Sequence, residues 1–335
     1  MRKIIGFITL PCLFVALLAG CSGSTPGLSL TSTTQSFTPV PPIATQKPAA
    51  TSTQAPTSTL VSAYIEEKGI VYATVDDVDL ELDLYRPVEG DGPFPAIVFM
   101  FGGGWFEGGR AAFSAQSRWA AERGYVAAAI DYRLTAEADE DGQPKYPFPA
   151  QLYDAKCAVR WLRSNAERLG IDPDRIGAAG YSAGGHLALM LALTDPSDGL
   201  EGDCGDLSYS SRVQAAVSLA GPMDLAYGYD AVPESRMVVK RLLGGEPEER
   251  PDQYRLASPI SHVSEDDPPV LTLVGELDSV MPEVGELFDI RMREVGASHT
   301  LIIIEGEGHS YFGWAVSDLY NAVFEFFDRH LKHEN

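Results

Sequence analysis

A serine hydroxyl attacks carbonyl carbon near neutral pH only when a base takes its proton and an acid holds that base in place. One stretch of the chain is built for such a serine: Gly180-Tyr181-Ser182-Ala183-Gly184-Gly185-His186 carries G-x-S-x-G between the apolar run RIGAAGY (175–181) and the helix-like run GGHLALMLAL (184–193). A strand turning directly into a helix forces the central residue onto a strained elbow with its side chain exposed. Small neighbours at Gly180, Ala183 and Gly184 let backbone pack on backbone there. Ser182 is the expected nucleophile; the plainer alternative is a helix start capped by that serine.

The base must come from six histidines, His186, His262, His299, His309, His330 and His333. His186 follows the nucleophile on its own helix and reads as packing. His299 opens a strand, His262 sits in a Ser/Asp/Pro-rich loop, and His330 and His333 lie in the charged final helix and tail. His309 stands in IEGEGHSYFGW, a Gly-rich loop just past the last apolar strand, and is the expected base. In this chain order the acid lies between nucleophile and base. Asp278, in GELDSVMP after the strand PVLTLVG, is expected there, with Asp224 and Glu276 as rivals. Acyl transfer also needs N–H donors aimed at the developing oxyanion. The elbow supplies Ala183, and Gly102-Gly103-Gly104, at the end of PAIVFMF (95–101), has no Cβ to block a carbonyl oxygen.

These residues need elements to hold them. Strand-like runs fall at 70–75, 78–85, 95–101, 125–132, 175–181, 213–220, 269–275 and 300–306, the last six continuously apolar, as in strands covered on both faces. Helical periodicity lies between them, notably over 149–170, 184–193 and 318–332. Two alternating strands followed by strand-helix units predict an α/β fold: a mostly parallel eight-stranded sheet with an antiparallel edge and helices on both faces. Ligands in such sheets sit at the carboxyl ends of the strands, where Ser182, Asp278 and His309 all fall.

The 335 residues include 45% hydrophobic and 10% aromatic side chains, enough for a sizeable core. The net charge is −22, and only Arg2, Lys3 and Lys47 are charged before residue 61, so the remainder carries 47 acidic against 22 basic residues. Such a surface speaks against nucleic acid or anionic lipid as partner. Residues 1–20 read as a signal peptide with Arg2, Lys3 and an apolar segment. Residues 21–60, rich in Ser, Thr and Pro, read as a linker, and 61–335 as one catalytic domain. Leu18-Ala19-Gly20-Cys21 resembles the bacterial lipobox, which implies lipid attachment at Cys21 and an extracytoplasmic protein tethered to the cell membrane through that anchor alone. In that compartment Cys157 and Cys204 either pair or remain free thiols; both readings stay open.

Taken together, FGGGW (101–105), DYRL (131–134), DPDRIGAAGYSAGGHLA (172–188) and the pair GELDSV and GEGHSY resemble the α/β-hydrolase superfamily. The likeness is specifically to carboxylesterases with an HGGG-type oxyanion loop, of the BD-FAE-like (feruloyl and acetylxylan esterase-like) and hormone-sensitive-lipase-like groups. The resemblance implies Ser182 as nucleophile, Asp278 as acid and His309 as base. It also implies the amides of Gly103, Gly104 and Ala183 as oxyanion hole, DYRL as a brace beneath that loop, and no metal or organic cofactor. The implied substrates are small-molecule or oligosaccharide esters, acetyl or feruloyl groups on plant-type polysaccharides among them. Phe101 departs from the family, which usually has His there, and this puts the loop's hydrogen bonding in question. A prolyl-oligopeptidase-like peptidase shares the elbow and triad, though 335 residues leave little room for that group's propeller, and a hydrolase-fold binding protein without catalysis is the remaining reading. Trp105, Phe106 and the Tyr146 to Phe148 region are candidate pocket walls, with lid segments expected within 135–150, 196–211 or 228–260.

Overall fold

The structure is a computed structural model that describes residues 63–136, 138–309 and 317–332. All fall within the compact unit Thr59–Asn335. The expected signal segment and linker, with Cys21, lie outside the described residues.

Eight strands form one sheet: β1 (Tyr64–Val75), β2 (Val78–Pro87), β3 (Phe94–Met100), β4 (Val126–Ile130), β5 (Ile171–Tyr181), β6 (Ala215–Leu219), β7 (Val270–Gly275) and β8 (His299–Ile304). Their spatial order is β1-β2-β4-β3-β5-β6-β7-β8. Only β2 runs against its neighbours; every pairing from β4 to β8 is parallel. The helices are α1 (Ser114–Glu122), α2 (Ala150–Ser164), α3 (Ala166–Leu169), α4 (Ala183–Leu193), α5 (Leu225–Ala231), α6 (Arg236–Leu243), α7 (Pro251–Ala257), α8 (Met281–Val295) and α9 (Ser317–Leu331).

Helices cover both faces, and β5 shows how. A Cβ on Gly177 would strike Phe327 and Leu331 of α9, whereas one on Gly180 would strike the Gly184 backbone at the start of α4. Odd and even positions of a strand point to opposite faces, so α9 and α4 pack on opposite sides. That double cover explains why β4, β6 and β7 are buried at every position.

β8 departs from the expectation of a strand covered on both faces. It is an edge strand, none of its six residues is fully buried, and Ile303 is exposed. β1 likewise starts at Tyr64, six residues before its apolar run, because the edge segment YIEEKG pairs with β2 through its backbone although most of its side chains are exposed.

Two polar anchors fix the loops that follow β3 and β4. Arg110 reaches Glu81 (2.6 Å) and Asp83 (2.9 Å) on β2 and also pairs with Asp131 after β4. Arg133 grips the fully buried carboxylate of Asp154 on α2 through its backbone N–H (2.8 Å) and its guanidinium, in the forked geometry that makes such pairs strong. Cys157 and Cys204 are joined in a disulfide, tying α2 to the segment before β6.

Candidate active site

β5 ends one residue before Ser182, which takes φ 51° and ψ −116°, a region an L residue rarely occupies. The surroundings leave no alternative. A Cβ on Gly180 would lie 2.2 Å from the Gly184 oxygen, and one on Gly184 would lie 2.0 Å from the Met100 oxygen, so β5, α4 and β3 meet backbone to backbone. The Ser182 N–H donates to Leu219 O (2.8 Å) at the end of β6, which holds the elbow in register.

Ser182 Oγ lies 3.0 Å from His309 Nε2, and His309 Nδ1 lies 2.8 Å from Asp278 Oδ2. Asp278 is 5% exposed and His309 stands in the open mouth of the site. With Nδ1–H donating to the carboxylate, the Nε2 lone pair is left to accept the serine proton. The loops carrying acid and base are laced together. Leu277 N–H donates to Glu307 O (2.7 Å) and Gly306 N–H to Glu276 Oε2 (2.9 Å). Tyr181 adds a tie that sequence reading missed: its hydroxyl donates to His309 O (2.9 Å), and its ring lies where a Cβ on Gly102 would have to go. Burial, with Asp278 nearby, pushes the Tyr181 phenol up, so it remains a donor.

The glycine loop follows β3. Gly103 has φ 126° and Gly104 φ 57°. Gly103 O accepts the N–H groups of Phe106 and Glu107, both at 3.1 Å. In a trans peptide the next N–H points opposite to that carbonyl, so the Gly104 amide is directed out of the turn. Gly104 borders the cavity containing Ser182 and His309. Ala183, first residue of α4, has an amide with no acceptor in its own helix. Donors of this kind are each worth roughly 2.7–4 kcal/mol to an oxyanion transition state.

Phe101 resolves the question its identity raised. Its ring is 1% exposed and stacks on Tyr132 at 4.2 Å and 9°, while Tyr132 OH donates to Phe101 O (2.7 Å). The DYRL segment thus braces the loop through the Phe101 backbone and an aromatic stack, with no hydrogen bond needed from the side chain at 101.

The rival residues have other work. Asp224 caps α5 by accepting from Tyr227 N–H (3.0 Å), and Glu276 holds Gly306. His262 is held by Asp198 and Leu256 O, and His299 by Asp289 and Thr272. His186 is fully buried, donates from Nε2 to Ala257 O (2.7 Å) and stands edge-on to Trp105 at 5.1 Å. Burial pushes its pKa down to about 4.

A cavity of about 470 Å³ opens over the Ser182 hydroxyl. Trp105 forms part of its wall as expected, but Phe106 does not border it, and Tyr146 and Phe148 are buried away from it. Its ceiling comes from residues 222–239, including α5 and α6, and from the first turn of α8. The segments 135–150 and 196–211 do not contribute. The expected lid segment 228–260 does contribute, through Gly228, Val232, Glu234, Ser235, Val238 and Val239, whereas no sequence signal marked Val280 or Val284 as cavity residues. Among the described residues no group of three or more His, Cys, Asp and Glu converges to hold a metal ion.

The family model described as BD-FAE matches residues 82–286. Among curated proteins, esterase LipC of Mycobacterium tuberculosis is 32% identical over 261 residues, covering 74% of this chain and 60% of its own length. The chain thus spans less than two thirds of that relative, and 46% of the probable carboxylic ester hydrolase LipM from the same organism. Among solved structures, the propionate-bound thermophilic esterase Est2 of the planctomycete Thermogutta terrifontis superposes with TM-score 0.66 at 32% identity, covering 82% of this chain and 97% of that one. A truncated carbohydrate esterase from gut microbiota gives TM-score 0.70 at 29% identity, covering 81% and 98%.

Proposed function

Because the chain belongs to the BD-FAE family, whose model spans residues 82–286, we propose that it is a serine carboxylesterase working through an acyl-enzyme. The observation that carries this reading is the unbroken relay from Ser182 Oγ through His309 to Asp278, at 3.0 and 2.8 Å. His309 Nε2 takes the serine proton as Oγ bonds to the ester carbonyl carbon. The resulting oxyanion faces the amides of Ala183, Gly104 and Gly103. His309, now protonated and steadied by Asp278, returns the proton to the departing alkoxide and leaves an acyl group on Ser182. A water deprotonated by the same imidazole then releases the acid and restores the serine.

The finer reading is an esterase that removes acetyl or feruloyl groups from plant-type polysaccharides outside the cell. The likeness to a carbohydrate esterase supports it. So do the lipobox-like segment ending at Cys21 and a disulfide suited to an oxidising compartment.

The test measures hydrolysis of p-nitrophenyl acetate, an acetylated xylo-oligosaccharide, a feruloyl ester and a prolyl-peptide anilide by wild type and Ser182→Ala. Ester turnover that vanishes in the variant supports the serine mechanism; equal rates in both proteins refute it. Release of acetate or ferulate from the sugar substrates separates the polysaccharide reading from a general esterase. Mass spectrometry of the mature N-terminus should find acylated Cys21, and an unmodified terminus elsewhere would refute the anchor.

A further inference from the structure

The cavity over Ser182 differs sharply between its walls and its mouth. Its walls are largely aliphatic and include Val238 and Val239 of α6 and Val280 and Val284 at the start of α8. Val238 meets the glycine loop: its Cγ1 lies 2.8 Å from where a Cβ on Gly104 would sit, so α6 leans directly on that loop. α6 cannot easily tilt away, because Val239, Leu242 and Leu243 are sunk in the core. Ser235 also locks the preceding turn through Gly228 O (3.0 Å) and Val232 O (2.8 Å).

Among the described residues, the charged groups bordering the cavity are three carboxylates, Asp224, Glu234 and Asp278, beside His309, with no Lys or Arg. The cations of α6 are engaged elsewhere. Arg236 donates to Tyr229 O and Asp230 O, Lys240 pairs with Glu246, and Arg241 lies over the Phe106 ring. Asp278 is committed to His309 and Asp224 accepts the Tyr227 N–H, while Glu234 is exposed at the edge of the cavity.

We propose that the segment from Val232 to Val239 selects the ester: Val238 limits the bulk of the apolar limb lodged beside the glycine loop, and Glu234, backed by Asp224, turns away esters that carry a negative charge. This rests on the serine carboxylesterase reading above. The preferred substrates are therefore uncharged or cationic esters with a compact aliphatic limb, whether that limb belongs to the acid or to the alcohol; of the two acyl groups named above, this favours acetyl over feruloyl.

The experiment uses the full chain and measures kcat/KM in three arms. The first is p-nitrophenyl acetate, butyrate and octanoate; the second, acetates of ethanol, butanol and octanol. The third compares p-nitrophenyl hemisuccinate with its uncharged methyl ester. Val238→Ala is expected to raise the octyl-to-ethyl or octanoate-to-acetate ratio by about tenfold or more, and Val238→Phe to lower it, in whichever arm occupies the cavity. Wild type is expected to favour the uncharged succinate, and Glu234→Gln or added salt to narrow that preference by about three- to tenfold. Ratios unmoved by Val238→Ala in both chain-length arms overturn the steric half. A charge preference unchanged in Glu234→Gln overturns the electrostatic half. Turnover surviving Ser182→Ala in any arm overturns the serine reading itself, so the two failures are distinguishable.

Discussion

Gly103→Ala puts the glycine loop under the most direct strain. At φ 126° an alanine is already disfavoured, and its Cβ would lie 2.1 Å from Glu107 O and 2.9 Å from the carbon of that carbonyl. Relief requires the loop to open by about an ångström, a distance that on its own can cost about a hundredfold in rate. The two 3.1 Å bonds that Gly103 O accepts would break or turn, and the Gly104 amide would turn with them. Losing one oxyanion donor costs about 2.7–4 kcal/mol of transition-state stabilisation, a fall of about 10²–10³ in kcat. KM should move little, since the donor acts mainly on charge that develops after binding. Two turn hydrogen bonds are worth about 1 kcal/mol each, so the protein should still fold, with melting lowered by a few degrees. Steady-state kinetics on p-nitrophenyl acetate, together with thermal unfolding by circular dichroism, decide the matter. A folded Gly103→Ala protein with wild-type kcat would mean that the oxyanion is stabilised elsewhere.

Three further outcomes follow from particular contacts. Phe101→His keeps a ring against Tyr132 and should hold turnover within about tenfold, whereas Phe101→Ala should lower stability by about 3–5 kcal/mol in urea titrations. The disulfide closes a separation of 47 residues, so replacing Cys157 and Cys204 by Ala should cost about 4 kcal/mol of unfolding free energy, and an unchanged urea midpoint would contradict it. Burial holds His186 at about 4, below its ordinary 6.5, so between those values the unfolded chain binds a proton that the folded chain refuses. That contribution is fully present above about pH 6.5 and is lost as pH falls towards 4, by about 3 kcal/mol; His186→Gln should flatten this acid limb of the stability profile.

Ser182, Asp278 and His309 were legible because each sits where an apolar strand ends, and a parallel sheet gathers such ends at one edge. The pairing of Cys157 with Cys204 stayed open in the sequence, since spacing says nothing of the angle between Cβ vectors. The cavity ceiling was legible only as a broad lid segment, 228–260, and not in its individual residues or in the share taken by 222–225 and the start of α8. Val238 and Val239 are neighbours in one short helix and both border the cavity, yet Val239 is also sunk in the core while Val238 abuts the glycine loop, a difference set by the packing of α6. Tyr181 reads as the variable position of G-x-S-x-G; its hold on His309 O spans 128 residues, which no local pattern records. β8 looked like a doubly covered strand because composition registers apolarity and not position at the sheet edge.

The serine mechanism is tested most directly by a fluorophosphonate probe followed by intact-mass and peptide mass spectrometry. One adduct per chain is expected, on the peptide containing Ser182, with labelling abolished in Ser182→Ala and turnover lost in proportion to modification. Stoichiometric labelling of another residue, or full esterase activity in a chain fully modified at Ser182, would contradict it.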